Sequence, residues 1–516
     1  MTNGHLLWVD DEIEMLRPQI LFLQNKGYDI MKATNGADAV DLCQEHHFDL
    51  ILLDENMPGL SGLDTLQRIK EIQPAVPVVM VTKSEEEDIM NQAIGANIAD
   101  YLIKPVNPNQ ILMTLKKNIH QQAIQTEVTQ ANYRQEFARL GTLISDARSW
   151  QDWIEVYKRL VYWELELAEI GGEMRPMLKM QKQEANNAFA KYIRRNYEEW
   201  INSEPNNRPL LSPDVIKQRV FPLLNQKEKV FLIVIDNFRY DQWRTIMGEI
   251  SDFFTFEEEL YYSILPSVTQ YARNAICAGL MPLQIKKMYP QLWVEEGEEE
   301  GKNLNEAQFV QTLMERFRRQ ERHAYYKLND SVAVDKLLSQ FNNLLYNEFN
   351  VLIINFIDIL SHAKTEHQMV HELVGNEQAF RSITLSWFQN SSIRQLFEVM
   401  ARSGYKVIVT TDHGSILVDN PIKIIGDRET NTNLRFKVGK NLNYNSKEVF
   451  EIRQPQRAGL SSPNLSSTYV LCTGDRFFAY PNNYNLYVNR YSGSFQHGGV
   501  SMEEMIIPLI TMTPKQ

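Results

Sequence analysis

The strongest constraint on how this chain can fold is a repeated device: a short apolar run that stops at a polar residue. In the amino-terminal part His5-Leu6-Leu7-Trp8-Val9 stops at Asp10-Asp11, Leu50-Ile51-Leu52-Leu53 at Asp54, Val76 to Val81 at Thr82, and Tyr101-Leu102-Ile103 at Lys104-Pro105. Amphipathic stretches lie between or after these runs: Met15 to Lys26, Gly36 to Glu45, Leu63 to Glu71, Glu86 to Ile94 and Pro108 to Ile119. Buried runs alternating with helical patterns predict βα units around a parallel sheet, with the polar residues gathered at the carboxyl ends of the strands.

Three carboxylates crowded at one sheet edge repel one another and call for a divalent cation, and hard oxygen ligands select magnesium. With that charge offset, Asp54 can attack a phosphorus, Lys104 can balance the added charge, and the Thr82 hydroxyl can hydrogen-bond the phosphoryl oxygens. In order and spacing these residues resemble the receiver domain of two-component response regulators, and Asp54-Glu55-Asn56-Met57-Pro58-Gly59 fits that family's Asp-x-x-Met-Pro-Gly loop. The resemblance implies a flavodoxin-like receiver over residues 1–120, with Asp54 as the phosphoacceptor and Asp10 and Asp11 as its acidic partners. It further implies Mg2+ held by Asp11, Asp54 and Asn56, Tyr101 as the aromatic switch, and a sensor histidine kinase upstream. A flavodoxin-like domain that only docks partners is the plainer alternative; the filling of every catalytic position speaks against it. Lys83 departs from the small residue usual beside the phosphate and bears on the lifetime of the phosphoryl group.

A chain of 516 residues is too long for one core, and three domains are expected at about 100 to 200 residues each. Its net charge of -12 argues against a broad grip on nucleic acid. The cysteines Cys43, Cys277 and Cys472 have no paired spacing, and no apolar stretch is long enough to span a bilayer. A cytoplasmic protein with no direct membrane insertion is expected.

From Gln121 to Pro213 strand-like runs vanish and apolar residues recur at helical spacing, as in Trp153, Tyr157 and Leu160. This predicts a helical-bundle connector over 121–213. Trp150, Trp153, Trp163 and Trp200 could in principle stack on bases, but their helical spacing and mixed charge fit packing better. No basic recognition helix follows the receiver-like segment.

The first pattern then returns. Val230 to Ile235 ends in Asp236; Val351 to Ile357 ends in Asp358, with His362 four residues on; Val407-Ile408-Val409 leads to Asp412-His413-Gly414. Three strands are expected each to deliver an aspartate at the same end. With His362, His413 and His497 these carboxylates suit two Zn2+ ions. Thr269, after Leu265-Pro266-Ser267-Val268, stands at the start of a predicted helix closed by Gly279, where a phosphate is favoured. A coordinated zinc can turn its hydroxyl into a nucleophile, with Asn237 or Arg273 balancing charge in the transition state.

These residues resemble the alkaline phosphatase superfamily and, within it, the PglZ domain, here 214–516, an α/β fold. The resemblance implies Asp358, His362 and His497 on one zinc, and Asp236, Thr269, Asp412 and His413 on the other. A receiver joined to a PglZ domain resembles the response regulators of type IX secretion, which implies a sigma factor or secretion component as partner. The expected function is a response regulator whose effector is a zinc-dependent phosphoesterase. A phosphodiesterase is favoured, with nucleotide-derived substrates the ones to try, since an uncharged threonine nucleophile and a bimetal clamp suit a monoanionic phosphorus. Phosphorylation is expected to draw Thr82 and Lys104 together, repack Tyr101 and drive homodimerisation. The alternative is a non-catalytic scaffold switched by phosphorylation. The inserted Lys423 to Ser494, with Arg428, Arg435, Lys437 and Arg453, is the candidate substrate cap. Glu295-Glu296-Gly297-Glu298-Glu299-Glu300 is expected to be a solvated loop, and His367 and His371 to face solvent.

Overall fold

The computed structural model describes residues 3–73, 76–83, 98–170, 174–295, 301–366, 374–426, 431–462 and 467–515. The chain divides into two compact units, Met1–Asn132 and Tyr133–Gln516. The helix Pro108–Asp146 runs from the first into the second.

In the first unit the apolar runs form β1 (Gly4–Val9), β2 (Tyr28–Ala33), β3 (Leu50–Leu53), β4 (Val78–Thr82) and β5 (Asp100–Ile103). Among the described residues these make one parallel sheet in the order β2-β1-β3-β4-β5. This is the flavodoxin-like order, and its switch point lies between β1 and β3. Every residue of β3 and β4 is buried, as a sheet covered by helices on both faces requires. Asp10 follows β1 and Asp54 follows β3, so both flank the switch point.

In the second unit β6 (Val230–Ile235), β7 (Phe254–Tyr262), β8 (His323–Leu328), β9 (Phe349–Ile354), β10 (Lys406–Thr410) and the strand Ile506–Pro514 form one sheet among the described residues. Its order is β7, Ile506–Pro514, β10, β6, β9, β8. The four strands β10, β6, β9 and β8 are mutually parallel, and Ile506–Pro514 runs antiparallel to both neighbours. All residues of β6 and β9 are buried, so both sheet faces are covered.

The connector helices Trp150–Ile170 and Met174–Asn202 do not form a core of their own; they share one with this sheet. The ring centroids of Trp153 and Phe189 are 5.4 Å apart, and those of Trp200 and Tyr262, on β7, 5.1 Å. The Leu265 N–H donates to the Tyr197 hydroxyl at 2.7 Å, so the connector also fixes the loop before Thr269. Trp153, Trp163 and Trp200 are buried, which makes them packing residues and not a stacking platform. Phe436–Gly439, Val449–Ile452 and Thr468–Cys472 form a small antiparallel sheet within the inserted segment. No helix of the described residues is long and apolar enough to cross a membrane.

Candidate metal and phosphoryl-transfer sites

In the first unit Lys104 Nζ lies 2.6 Å from Asp10 Oδ2 and 2.7 Å from Asp54 Oδ2. Both carboxylates are buried, and Asp10, Asp11 and Asp54 present oxygens within 4.8 Å of one another. Burial pushes the Asp54 carboxyl above its usual range despite the pull of Lys104. For Lys104 burial acts downward, but Asp10 and Asp54 hold the ammonium above its usual range. Crowded, partly desolvated carboxylates are the expected state of a cation site. Asn56 Nδ2 is 3.5 Å from the buried Thr82 hydroxyl, and Tyr101 is half-buried. Lys83 reaches Glu12 at the surface, 2.6 Å away, and not the phosphoacceptor.

In the second unit two clusters stand together. Asp358, His362 and His497 bring ligand atoms within 4.8 Å of one another, and so do Asp236, Asp412 and His413. The His413 and His497 rings stack with centroids 4.3 Å apart, joining the two sets. Thr269 begins the helix Thr269–Ala278, and Gly279, in the left-handed region at φ 60°, ends it. Its hydroxyl lies 3.2 Å from His413 Nε2 and 3.4 Å from Asp236 Oδ1.

Local sequence explains these placements. Asp236 follows β6 directly, and its N–H still donates to Ile354 O on β9 at 2.8 Å. Gly414 is required after His413, because a Cβ there would meet the Glu503 carbonyl oxygen at 2.0 Å. Gly498, after His497, has φ 119°, a backbone that side chains rarely adopt. Asn237 sits at φ 62°, a region that Asn tolerates.

The electrostatics fit divalent cations. Burial and the neighbouring Asp236 push Asp412 well above the carboxylate range, and the same causes bring Asp358 to about 6. Burial would raise Asp236 too, but Arg273 and then His413 hold it below its usual value. Burial pushes His413 and, further, His497 below the usual imidazole range, toward the neutral form that binds metal. Asp412 Oδ2 is buried without a hydrogen-bond partner, which a bound ion would satisfy, and His497 turns its Nε2 to Asp358 Oδ1 at 3.5 Å. Mixed carboxylate and imidazole donors suit zinc.

Four expectations are corrected. Asp358 does not end a strand: β9 stops at Ile354, and Asp358 stands in the first turn of the helix Phe356–Glu366, one turn before His362. The apolar run continues past Asn355, so periodicity could not separate strand from buried helix. Arg273 is not free to meet a phosphate, because its Nη1 is 2.5 Å from Asp236 Oδ2 and its Nε 2.5 Å from Glu306 Oε1. Asn237 turns its Nδ2 to Asp358 Oδ1 at 3.3 Å and Ser361 Oγ at 3.0 Å, so its amide braces a residue of the cluster. In the expected cap, Arg435 is fully buried on Glu504 at 2.5 Å, and Lys437 is fully buried with its ammonium donating to Asn431 O. Only Arg453 of the described basic set is exposed there, paired with Glu451. Arg428, His367, His371 and residues 296–300 lie outside the described residues. The reading of the sequence overlooked Glu306, buried behind Asp236; its position just beyond an acidic run masked it.

The chain matches the BREX system PglZ alkaline phosphatase-like domain over residues 215–512, more than half of its length. It matches the PorX response regulator linker domain over 123–201 and the response regulator receiver domain over 6–116. It is 35% identical over 127 residues to the transcriptional regulatory protein ResD of Bacillus subtilis, covering 25% of this chain and 52% of ResD. The uncharacterized transcriptional regulatory protein YkoG of Bacillus subtilis is 33% identical over 129 residues, covering 25% of this chain and 56% of YkoG. The chain thus spans about half the length of these curated relatives. A solved CheY-like receiver domain protein from Methanospirillum hungatei is 25% identical, with 23% of this chain and 94% of that chain covered and a TM-score of 0.22.

Proposed function

Because the chain belongs to the PglZ alkaline phosphatase-like family and carries a response-regulator receiver at its other end, we propose that it is a phosphorylation-controlled, zinc-dependent phosphodiesterase with Thr269 as nucleophile. The observation that carries this reading is the Thr269 hydroxyl, 3.2 Å from His413 and 3.4 Å from Asp236 at the head of a helix.

Asp358, His362 and His497 would hold one zinc, and Asp236, Asp412, His413 and Thr269 the other. When bound, zinc lowers the pKa of the threonine hydroxyl and offsets charge on the leaving oxygen. The residues of the chain do the rest. Thr269 supplies the attacking oxygen, and the amino end of its helix favours the anionic phosphorus. Arg273 and Asn237 hold Asp236 and Asp358 in place. The attack breaks one ester bond and releases that alcohol, and water then frees the remaining phosphomonoester from Thr269 and restores the hydroxyl.

A receiver implies a cognate histidine kinase. We place the phosphoryl group on Asp54, with Lys104 and Thr82 stabilising it and Asp11, Asp54 and Asn56 holding magnesium. Phosphorylation then repacks Tyr101 and promotes homodimerisation. The match to a response regulator linker supports a role in control of type IX secretion, with a sigma factor or secretion component downstream. The test is hydrolysis of bis(p-nitrophenyl) phosphate and of linear and cyclic oligonucleotides by the zinc-loaded full chain. Turnover of any of them supports the reading. No turnover of any, with zinc bound, overturns it in favour of a phosphorylation-switched scaffold.

A further inference from the structure

Behind the Asp236 cluster lies a buried carboxylate that the proposed chemistry does not use. Glu306, fully buried at the start of the helix Glu306–Arg316, accepts from Arg273 Nε at 2.5 Å, from Asn303 Nδ2 at 3.1 Å and from the Tyr325 hydroxyl. Lys327 Nζ stands 3.3 Å from its other oxygen. The same Arg273 meets Asp236 Oδ2 at 2.5 Å, and the same Asn303 amide donates to the Thr269 backbone oxygen at 3.1 Å. One carboxylate is therefore tied through a guanidinium to a cluster carboxylate, and through an amide to the start of the Thr269 helix.

The charges explain why it is there. A buried guanidinium beside a cation site opposes the cation, and Arg273 is 2% exposed and only 3.9 Å from Asp412 Oδ2 as well. Asp236, Asp412 and Glu306 set against Arg273 leave two formal negative charges, the complement of one divalent ion. Without Glu306 a single negative charge remains, and the whole guanidinium charge falls on the two cluster carboxylates. Lys327, with 29% of its side chain exposed, reaches solvent, where its charge is screened.

Building on the zinc-site reading, the structure assigns Glu306 as a positioning residue: it offsets Arg273 so that Asp236 remains available to a divalent cation, and through Asn303 it fixes Thr269 against the same frame.

Zinc competition with a chromogenic chelator, run on the full chain beside hydrolysis of bis(p-nitrophenyl) phosphate, tests this. In Glu306→Gln one of the two zinc ions should bind about 10- to 100-fold more weakly, with kcat falling more than KM changes. Adding Arg273→Met, which restores the formal charge, should return zinc binding to within about threefold of wild type. Wild-type zinc affinity in Glu306→Gln with only a lower melting temperature, or a double variant no tighter than the single one, would overturn the assignment. Should Glu306→Gln not fold, Arg273→Lys replaces it: an ammonium keeps the charge but cannot span both carboxylates, so zinc binding should weaken, and unchanged binding counts against the proposal. A wild type that binds zinc but hydrolyses nothing rejects the phosphodiesterase reading alone. A wild type that binds no zinc rejects both.

Discussion

The Thr269 hydroxyl lies 3.2 Å from His413 Nε2, although 144 residues separate the two in the chain. On the proposed chemistry Thr269 is the nucleophile, and no isostere without an oxygen can replace it. Thr269→Val should lower kcat for a phosphodiester by at least about a thousandfold, and Thr269→Ser should keep a measurable fraction. Steady-state hydrolysis of the three proteins at equal zinc content decides, and comparable rates for Val and Thr would remove Thr269 from the chemistry.

Zinc should stabilise the second unit, because Asp412 Oδ2 is buried without a hydrogen-bond partner beside Asp236. At about 100 times its Kd a ligand contributes about 2.7 kcal/mol. Thermal melts after chelation and after zinc return should differ accordingly. The difference should persist in Thr269→Val, which retains the carboxylate and imidazole donors.

Lys104 bridges Asp10 and Asp54 at 2.6 and 2.7 Å. A phosphoryl mimic such as beryllofluoride with magnesium should therefore shift wild type toward a dimer in size-exclusion light scattering. Asp54→Ala should not respond. Identical mass distributions for wild type with and without the mimic would contradict dimerisation as the output.

Phe189 packs on Trp153 at 5.4 Å and on Tyr262 of the sheet at 6.3 Å between ring centroids. Phe189→Ala should destabilise by about 3 to 5 kcal/mol. Since connector and sheet share this core, connector tryptophan fluorescence and hydrolytic activity should be lost together in urea. Separate midpoints in wild type would show two independent units instead.

Burial holds the Lys437 amine down to about 8 from its ordinary 10.5, with little opposition from Cys472. Between those values the unfolded chain binds the proton and the folded one does not, so this residue makes stability rise with pH across that window and least favourable below it. Lys437→Met should stabilise the protein by about 1 to 2 kcal/mol at pH 7 and by less near pH 10. Urea midpoints of both proteins from pH 7 to 10 give the difference; a gap independent of pH would assign the effect to packing.

Residues bound to the ends of apolar runs were legible from the chain itself. Asp10, Asp54, Thr82 and Lys104 in one sheet, and Asp236 and Asp412 in the other, follow from local periodicity, since an apolar run that gives way to polar residues marks where a buried strand ends. Thr269 was legible for the same kind of reason, a helix start between turn residues and a closing glycine.

What the tertiary structure decided was which charge meets which. Arg273, read as a phosphate ligand, instead lies between Asp236, 37 residues before it, and Glu306, 33 residues after it. Arg435, read as a cap residue, is spent on Glu504, 69 residues on. A buried charge needs a partner wherever the chain supplies one, and periodicity records burial along the chain but not pairing across it. The same limit hid the merging of the connector with the sheet: an apolar helix face declares that it will be covered, and only the packed structure says by what.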